Sequence, residues 1–171
     1  MMNLEVERRW NGDACPDKTI RGNIQVERTD AGLLITATAP KFSVEHHPSA
    51  PSGKRFDGLW DYDVLEIFFV GQDGKYVEVE LGTAGHYLVL GFESIRRRAN
   101  DFYDHVFEHT FIREKDGSTT STILIPNEML PPVIIRVNAF IIANQEFLSH
   151  APLPGAKADF HQPDEYPMMS V

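Results

Sequence analysis

From Gly58 to Val70 the chain reads Gly-Leu-Trp-Asp-Tyr-Asp-Val-Leu-Glu-Ile-Phe-Phe-Val, followed by Gly-Gln-Asp-Gly at 71–74. Lys-Tyr-Val-Glu-Val-Glu-Leu then fills 75–81, Gly-Thr-Ala-Gly fills 82–85, and His-Tyr-Leu-Val-Leu fills 86–90. Three short β-branched and aromatic runs, separated by Gly-containing tetrads, predict three antiparallel strands joined by tight turns. Strand side chains alternate between the two faces of a sheet. Leu65, Ile67 and Phe69 therefore share one face with Val77, Val79 and Leu81, while Glu66, Phe68, Tyr76, Glu78 and Glu80 share the other.

The rest of the chain repeats this grammar. Leu4–Trp10 alternates apolar and charged residues and predicts a first strand, which Asn11-Gly12 ends. Segments 22–28 and 32–39 form a hairpin about Asp30-Ala31-Gly32, with Ile24 and Val26 on one face of the first arm and Leu33, Ile35 and Ala37 on one face of the second. Residues 40–56 lose the alternation and predict a long loop, of a length that usually carries function. His105–Arg113 and Ser118–Ile125 alternate about Lys115-Asp116-Gly117, and a short helical turn is expected at 125–130, where Pro126 stands near its start. Val133–Ala143 is the most apolar β-branched run and predicts a buried central strand, with Arg136, Asn138 and Phe140 opposite its core set. After Asn144 a proline-rich tail is expected, packing on the sandwich over 151–171. With no helix of normal length and a strand about every ten residues, the fold class is all-β, an antiparallel sandwich of nine to eleven strands. The whole of 1–171 reads as one such domain.

Composition narrows function. The 171 residues carry 25 acidic and 16 basic side chains, a net charge of −9, so a general affinity for nucleic acid or anionic membranes is not expected. Cys15 stands alone, which excludes an intramolecular disulfide and a cysteine zinc site. No apolar run has signal-peptide or membrane-spanning length, so cytoplasmic residence is the expectation, and a protein partner is left unassigned. Nucleotide-binding glycine loops, the nucleophile elbow and the His-Glu-x-x-His motif are all missing.

Titratable clusters offer few alternatives. His46-His47 is adjacent and diverges in a strand, while His105 and His109 would stand about 13 Å apart in one, too far for a shared metal. Glu78 and Glu80 would lie about 6.6 Å apart along their strand, a spacing a glycosidase pair can use. His161 reads first as a residue packing the tail. The triplet Arg96-Arg97-Arg98 reads as a solvated strand end or an anion contact. No cofactor is assigned, and a structural Ca²⁺ stays open without ligands. The face with Glu66, Phe68, Tyr76, Glu78, Glu80, Arg136 and Asn138 is either an ordinary solvated sheet face or a polar-aromatic surface suited to a polyhydroxylated ligand.

Several stretches carry a resemblance. Leu59-Trp-Asp-Tyr-Asp-Val-Leu-Glu-Ile-Phe-Phe69, Tyr76-Val-Glu-Val-Glu-Leu81, Ile123-Leu-Ile-Pro126 with Leu130, Arg136-Val-Asn-Ala-Phe140 and Asp159-Phe-His-Gln-Pro163 resemble, in order, elements of the family-nine carbohydrate-binding modules. The similarity spans roughly 20–165. The Leu-Trp-Asp-Tyr start and the Asp-Phe-His segment are closer still to a family of small stand-alone intracellular proteins of that fold with no established activity. The resemblance implies an immunoglobulin-like or jelly-roll sandwich and a sugar held by aromatic rings and by Glu, Arg, Asn and Gln side chains. Trp60, Glu66 and Asn138 match by motif, with Arg96 or Arg98 as looser candidates. Sugar-binding members clamp between two tryptophans, whereas this chain has Trp10 and Trp60, so a second clamp would be Tyr62, Tyr87, Phe92 or Tyr103.

The resulting expectation is non-catalytic binding of a small carbohydrate or polyol by Trp60, Glu66, Glu78, Arg98 and Asn138. The alternatives are a sugar-related hydrolase working through paired carboxylates or His161, and a protein-interaction domain with a flat apolar patch at Phe68 and Phe140.

Overall fold

The computed structural model describes residues 1–171 and contains two antiparallel sheets packed face to face. Strands β1 (Met2–Val6), β3 (Gly22–Arg28), β4 (Gly32–Ala39), β9 (His109–Arg113) and β10 (Thr119–Pro126) form a five-stranded sheet in the order β1-β3-β4-β10-β9. The seven-stranded sheet contains β2 (Arg8–Arg9), β5 (Val64–Gly71), β6 (Tyr76–Gly82), β7 (Tyr87–Ser94), β8 (Arg97–Asn100), β11 (Ile134–Ala143) and β12 (Glu146–Ser149). Its order is β2-β12-β11-β5-β6-β7-β8. Three-residue 3₁₀ turns stand at Leu59–Asp61, Asn127–Met129 and Pro163–Glu165.

The expected parity sets meet in the core. Leu65, Ile67, Phe69, Val77, Val79 and Leu81 of the larger sheet are buried against Ile24, Val26, Leu33, Ile35, Ile123 and Ile125 of the smaller. Each such side chain contributes about 1.5–3 kcal/mol by leaving water, which is what fixes the two sheets' registers.

Several boundaries differ from the sequence expectation. The segment Leu4–Trp10 is two strands, because the chain crosses at Glu7 from the small sheet to the edge of the large one. Regular pairing begins at His109 rather than His105. The expected tail opens with a further strand, β12, which pairs with β11 through the two-residue turn Asn144-Gln145. Both turn residues have positive φ, 45° and 61°. That is the backbone of the mirror-image hairpin turn, for which glycine at the second position is the usual signal; here glutamine occupies it.

The tail from 150 onward crosses the outer face of the seven-stranded sheet. Phe160 stacks on Phe140 with centroids 4.1 Å apart, and Tyr166 meets Phe68 edge-on. Val137 N–H donates to the Pro167 carbonyl and Met169 N–H to that of Ile135, so the tail pairs with the half of β11 that β12 does not reach. A second apolar cluster results, with Phe68, Tyr76, Phe140 and Tyr166 essentially inaccessible. The flat apolar patch expected at Phe68 and Phe140 is therefore not on the surface. No helix is long and apolar enough to cross a membrane.

Candidate functional site

Where the tail stops covering the sheet, a cavity of about 1040 Å³ opens on the outer face of β5, β6 and β7. That is at the upper end of the range of about 300–1,000 Å³ usual for small-molecule sites. The loop at Val44–His46 and the Trp60–Asp63 segment form one wall; the β11–β12 hairpin and the tail at Ala158–His161 form the other. The loop is fixed where it passes the sheet. Asp63 carboxylate accepts the His46 N–H (2.7 Å), the His46 carbonyl accepts the Asp63 N–H (3.0 Å), and Nε2–H of His86 donates to the Ala50 carbonyl (2.8 Å). Burial raises the Asp63 pKa despite the His46 N–H.

Glu66 and Glu78 lie in the floor. Glu66 stands directly opposite Glu80 in the β5–β6 register, and Glu78 follows two residues before Glu80 on the same face. The three carboxyls lie within 4.8 Å of one another and all are buried. Like charges facing each other across strands destabilise a sheet, and burial adds desolvation. Accordingly Glu66 and Glu80 are pushed well above the ordinary carboxylate range, by burial first and by their neighbouring carboxyls second. Burial likewise raises Glu78 to about 7, held from going further by the Arg98 and Arg96 guanidiniums. Glu66 Oε1 and both oxygens of Glu80 have no hydrogen-bond partner. A buried acceptor left in that condition costs about 1–3 kcal/mol.

Beside the carboxyls runs a hydrogen-bonded chain. The Tyr76 hydroxyl accepts the Arg96 N–H (3.0 Å) and hydrogen-bonds Nδ1 of His161 (2.8 Å). The other ring nitrogen, Nε2, is 3.8 Å from Glu78 Oε2. Burial, with the Arg96 guanidinium second, lowers the His161 pKa to about 4, so the ring is neutral at physiological pH. Tyr76 is raised to about 12, chiefly by burial. The Arg96 guanidinium itself pairs with Asp159 (2.6 Å).

The mouth is aromatic and cationic. The Arg98 guanidinium lies 5.9 Å from the centroid of the Trp60 ring, which is 37% exposed, and its Nη1 is 3.9 Å from Asp57. Tyr62, Phe92, Phe147 and Phe160 add further rings. Three of the four non-glycine residues with positive φ, namely Arg96, Asn144 and Gln145, border this cavity. Backbone held in that sparsely populated region tends to collect at ligand sites.

Of the residues expected from sequence, Trp60, Glu66, Glu78 and Arg98 come together here, and so does Arg96. Asn138 does not. It is wholly buried, its amide donates to the Ala151 carbonyl (3.1 Å), and its oxygen accepts the Ala151 N–H (3.0 Å). It fixes the start of the tail and does not line the cavity. Among the possible second clamps, Tyr62 and Phe92 line the cavity; Tyr87 packs inward on Phe107, and Tyr103 points to solvent over Arg55. Phe147 and Phe160 were not among the expected clamps, the first because β12 itself was not expected. His161 both packs the tail and reaches the floor. His46 lies against the Tyr62 ring, tilted by 36°, and His47 lies between Glu45 and Asp63.

The fold defined here is a two-sheet β-sandwich whose outer sheet face carries a polar-aromatic cavity. A solved structure from Bacteroides uniformis, named a candidate carbohydrate-binding protein, has this fold, with a TM-score of 0.76 over 99% of this chain and 86% of its own, at 16% identity. In sequence the chain is similar to the UPF0462 protein C4orf33 of Homo sapiens and its Danio rerio homolog. Each is 28% identical over 94% of this chain, covering 83% and 85% of the respective relative. Those names assign no activity. No family model matches the chain.

Proposed function

We propose that the cavity binds a small carbohydrate or polyol-like ligand without transforming it. The observation that carries this reading is the surplus of acceptors at the floor. Glu66 has a buried oxygen without a donor beside Glu78, while Trp60 and Arg98 stand at the mouth. Vicinal hydroxyls donate to such oxygens, and the C–H face of a sugar ring packs on an exposed aromatic. The fold neighbour's name points the same way. Glu66 and Glu78 are the hydrogen-bonding floor, Trp60 the stacking surface and Arg98 a donor at the rim.

Thermal unfolding with mono-, disaccharides and linear polyols tests this, since a ligand held only by the folded state raises Tm. At least one is expected to raise Tm in the wild type and to lose that effect in Trp60→Ala and Glu66→Gln. No shift with any of them, from a protein that is folded at the start, would defeat the reading.

One observation favours a second reading, hydrolysis of a sugar-related substrate. Glu78, near 7, lies beside a neutral His161 in a deep cavity. The three carboxyls, however, are grouped on one floor, whereas a glycosidase places its acid and its nucleophile or base on either side of the scissile bond. Aryl glycosides are expected to bind without release of the aryl alcohol; release abolished by Glu78→Gln would establish the hydrolase instead.

A further inference from the structure

We propose that Glu66, Glu78 and Glu80 together form a calcium site at the floor of the cavity, a binding capacity that does not depend on any sugar. The three side chains project to the same side of two adjacent strands, from positions that the β5–β6 register places side by side. Their carboxyl oxygens lie within 4.8 Å of one another. Two Ca–O bonds of about 2.3–2.6 Å on opposite sides of an ion span about 4.6–5.2 Å, whereas two Mg–O bonds of about 2.0–2.1 Å span only about 4.2 Å. The donor set is all carboxylate, which selects a hard cation over zinc or copper.

A group of acids on a sheet does not by itself indicate an ion. What sets this one apart is the isolation of Glu80, which is 0% exposed with neither oxygen meeting a donor. The neighbouring cations are committed elsewhere: Arg96 to Asp159, and Arg98 to the Trp60 ring and Asp57. His161 faces Glu78 alone. No side chain compensates Glu66 and Glu80, and a divalent cation bridging all three satisfies both the charge and the orphan oxygens. Glu66 and Glu78 reach the cavity, so water or a ligand hydroxyl would complete the coordination sphere from that side.

The test uses the full chain, stripped with a chelator and free of sugar, titrated with CaCl₂ and separately with MgCl₂ by calorimetry and thermal unfolding. Calcium is expected to bind saturably at one site per chain and to raise Tm by on the order of 5 °C when in large excess, with magnesium at least tenfold weaker. Glu80→Gln, which keeps the shape and removes one charge, is expected to abolish the calcium effect while remaining folded. Should it fail to fold, Glu78→Gln serves in its place. The proposal is overturned by no heat and no Tm shift at about 10 mM calcium, well above the weakest protein calcium sites at about 10⁻⁴–10⁻³ M. It is equally overturned by a calcium effect that survives both variants, or by magnesium binding as tightly as calcium. Because no sugar is present, these outcomes are separate from the fate of the ligand-binding reading.

Discussion

Strand β10 of the five-stranded sheet and strand β6 of the seven-stranded sheet both alternate along their length, yet their outer rows meet different surroundings. On β10, Thr120, Thr122 and Leu124 remain half-exposed, and Thr122 pairs across the strand with Thr36 at 3.2 Å. On β6, Tyr76, Glu78 and Glu80 point outward in the same sense and are as buried as the core residues between them. Period-two alternation sorts side chains into faces; it does not say whether a face is wet. That is decided by a segment about 80 residues further on, whose Phe160 and Tyr166 cover one sheet and not the other. Polar residues on a covered face acquire shifted pKa values and unpaired oxygens, and the site arises from that difference.

The contrast should be largest where the tail is fastened. Phe140→Ala removes the ring on which Phe160 stacks and should cost about 3–5 kcal/mol, measured by urea unfolding, and should expose the tail to limited proteolysis. A loss below about 1 kcal/mol would mean that the covered face behaves like the open one.

Asn138→Ala should cost about 1–3 kcal/mol by leaving the Ala151 N–H and carbonyl unpaired. Sugar affinity per folded molecule should be unchanged; a selective loss of affinity at full stability would return Asn138 to the binding site.

A smaller effect is expected in the five-stranded sheet at His109, whose ring bonds Ser121 Oγ and whose pKa is lowered by burial and secondarily by His86. Its folded pKa lies below the unfolded value of about 6.5, so the unfolded chain binds the proton more readily. Stability from this group is complete above about pH 6.5 and declines as the pH falls toward the folded pKa. His109→Gln should flatten that part of the wild-type pH–stability curve, and an unchanged slope would remove His109 as its source.

Smallest of all, Thr122→Ala on the open face should change stability by no more than about 0.5 kcal/mol in urea unfolding. A cost above about 1 kcal/mol would mean that this face is also structurally committed.

Much of this was legible in the residues themselves. The strands around Glu66, Glu78 and Val137, and their core-facing sets, follow from alternation and turn chemistry, which are local, whereas Trp60 and Arg98 were expected only from the family resemblance. The Asn144-Gln145 turn was not, because glutamine stands where glycine normally signals that backbone, and β12 with Phe147 was hidden by it. Asn138 lies on the expected face, but parity cannot tell an amide that greets a ligand from one that ties down Ala151. Nor can it show that Glu80 is sealed without a donor, since that depends on where Arg96 and Arg98 find their partners.

The most direct measurement is a heteronuclear NMR titration of the ¹⁵N-labelled chain with sugars and linear polyols at up to about 10 mM, ten times a weak dissociation constant of about 1 mM. Saturable shifts are expected at the Trp60 indole N–H and at the amides of Glu66, Glu78 and Arg98, with Thr36 and Thr122 unmoved. Spectra unchanged by every compound, or shifts confined to the five-stranded sheet, would contradict a ligand site beneath the tail.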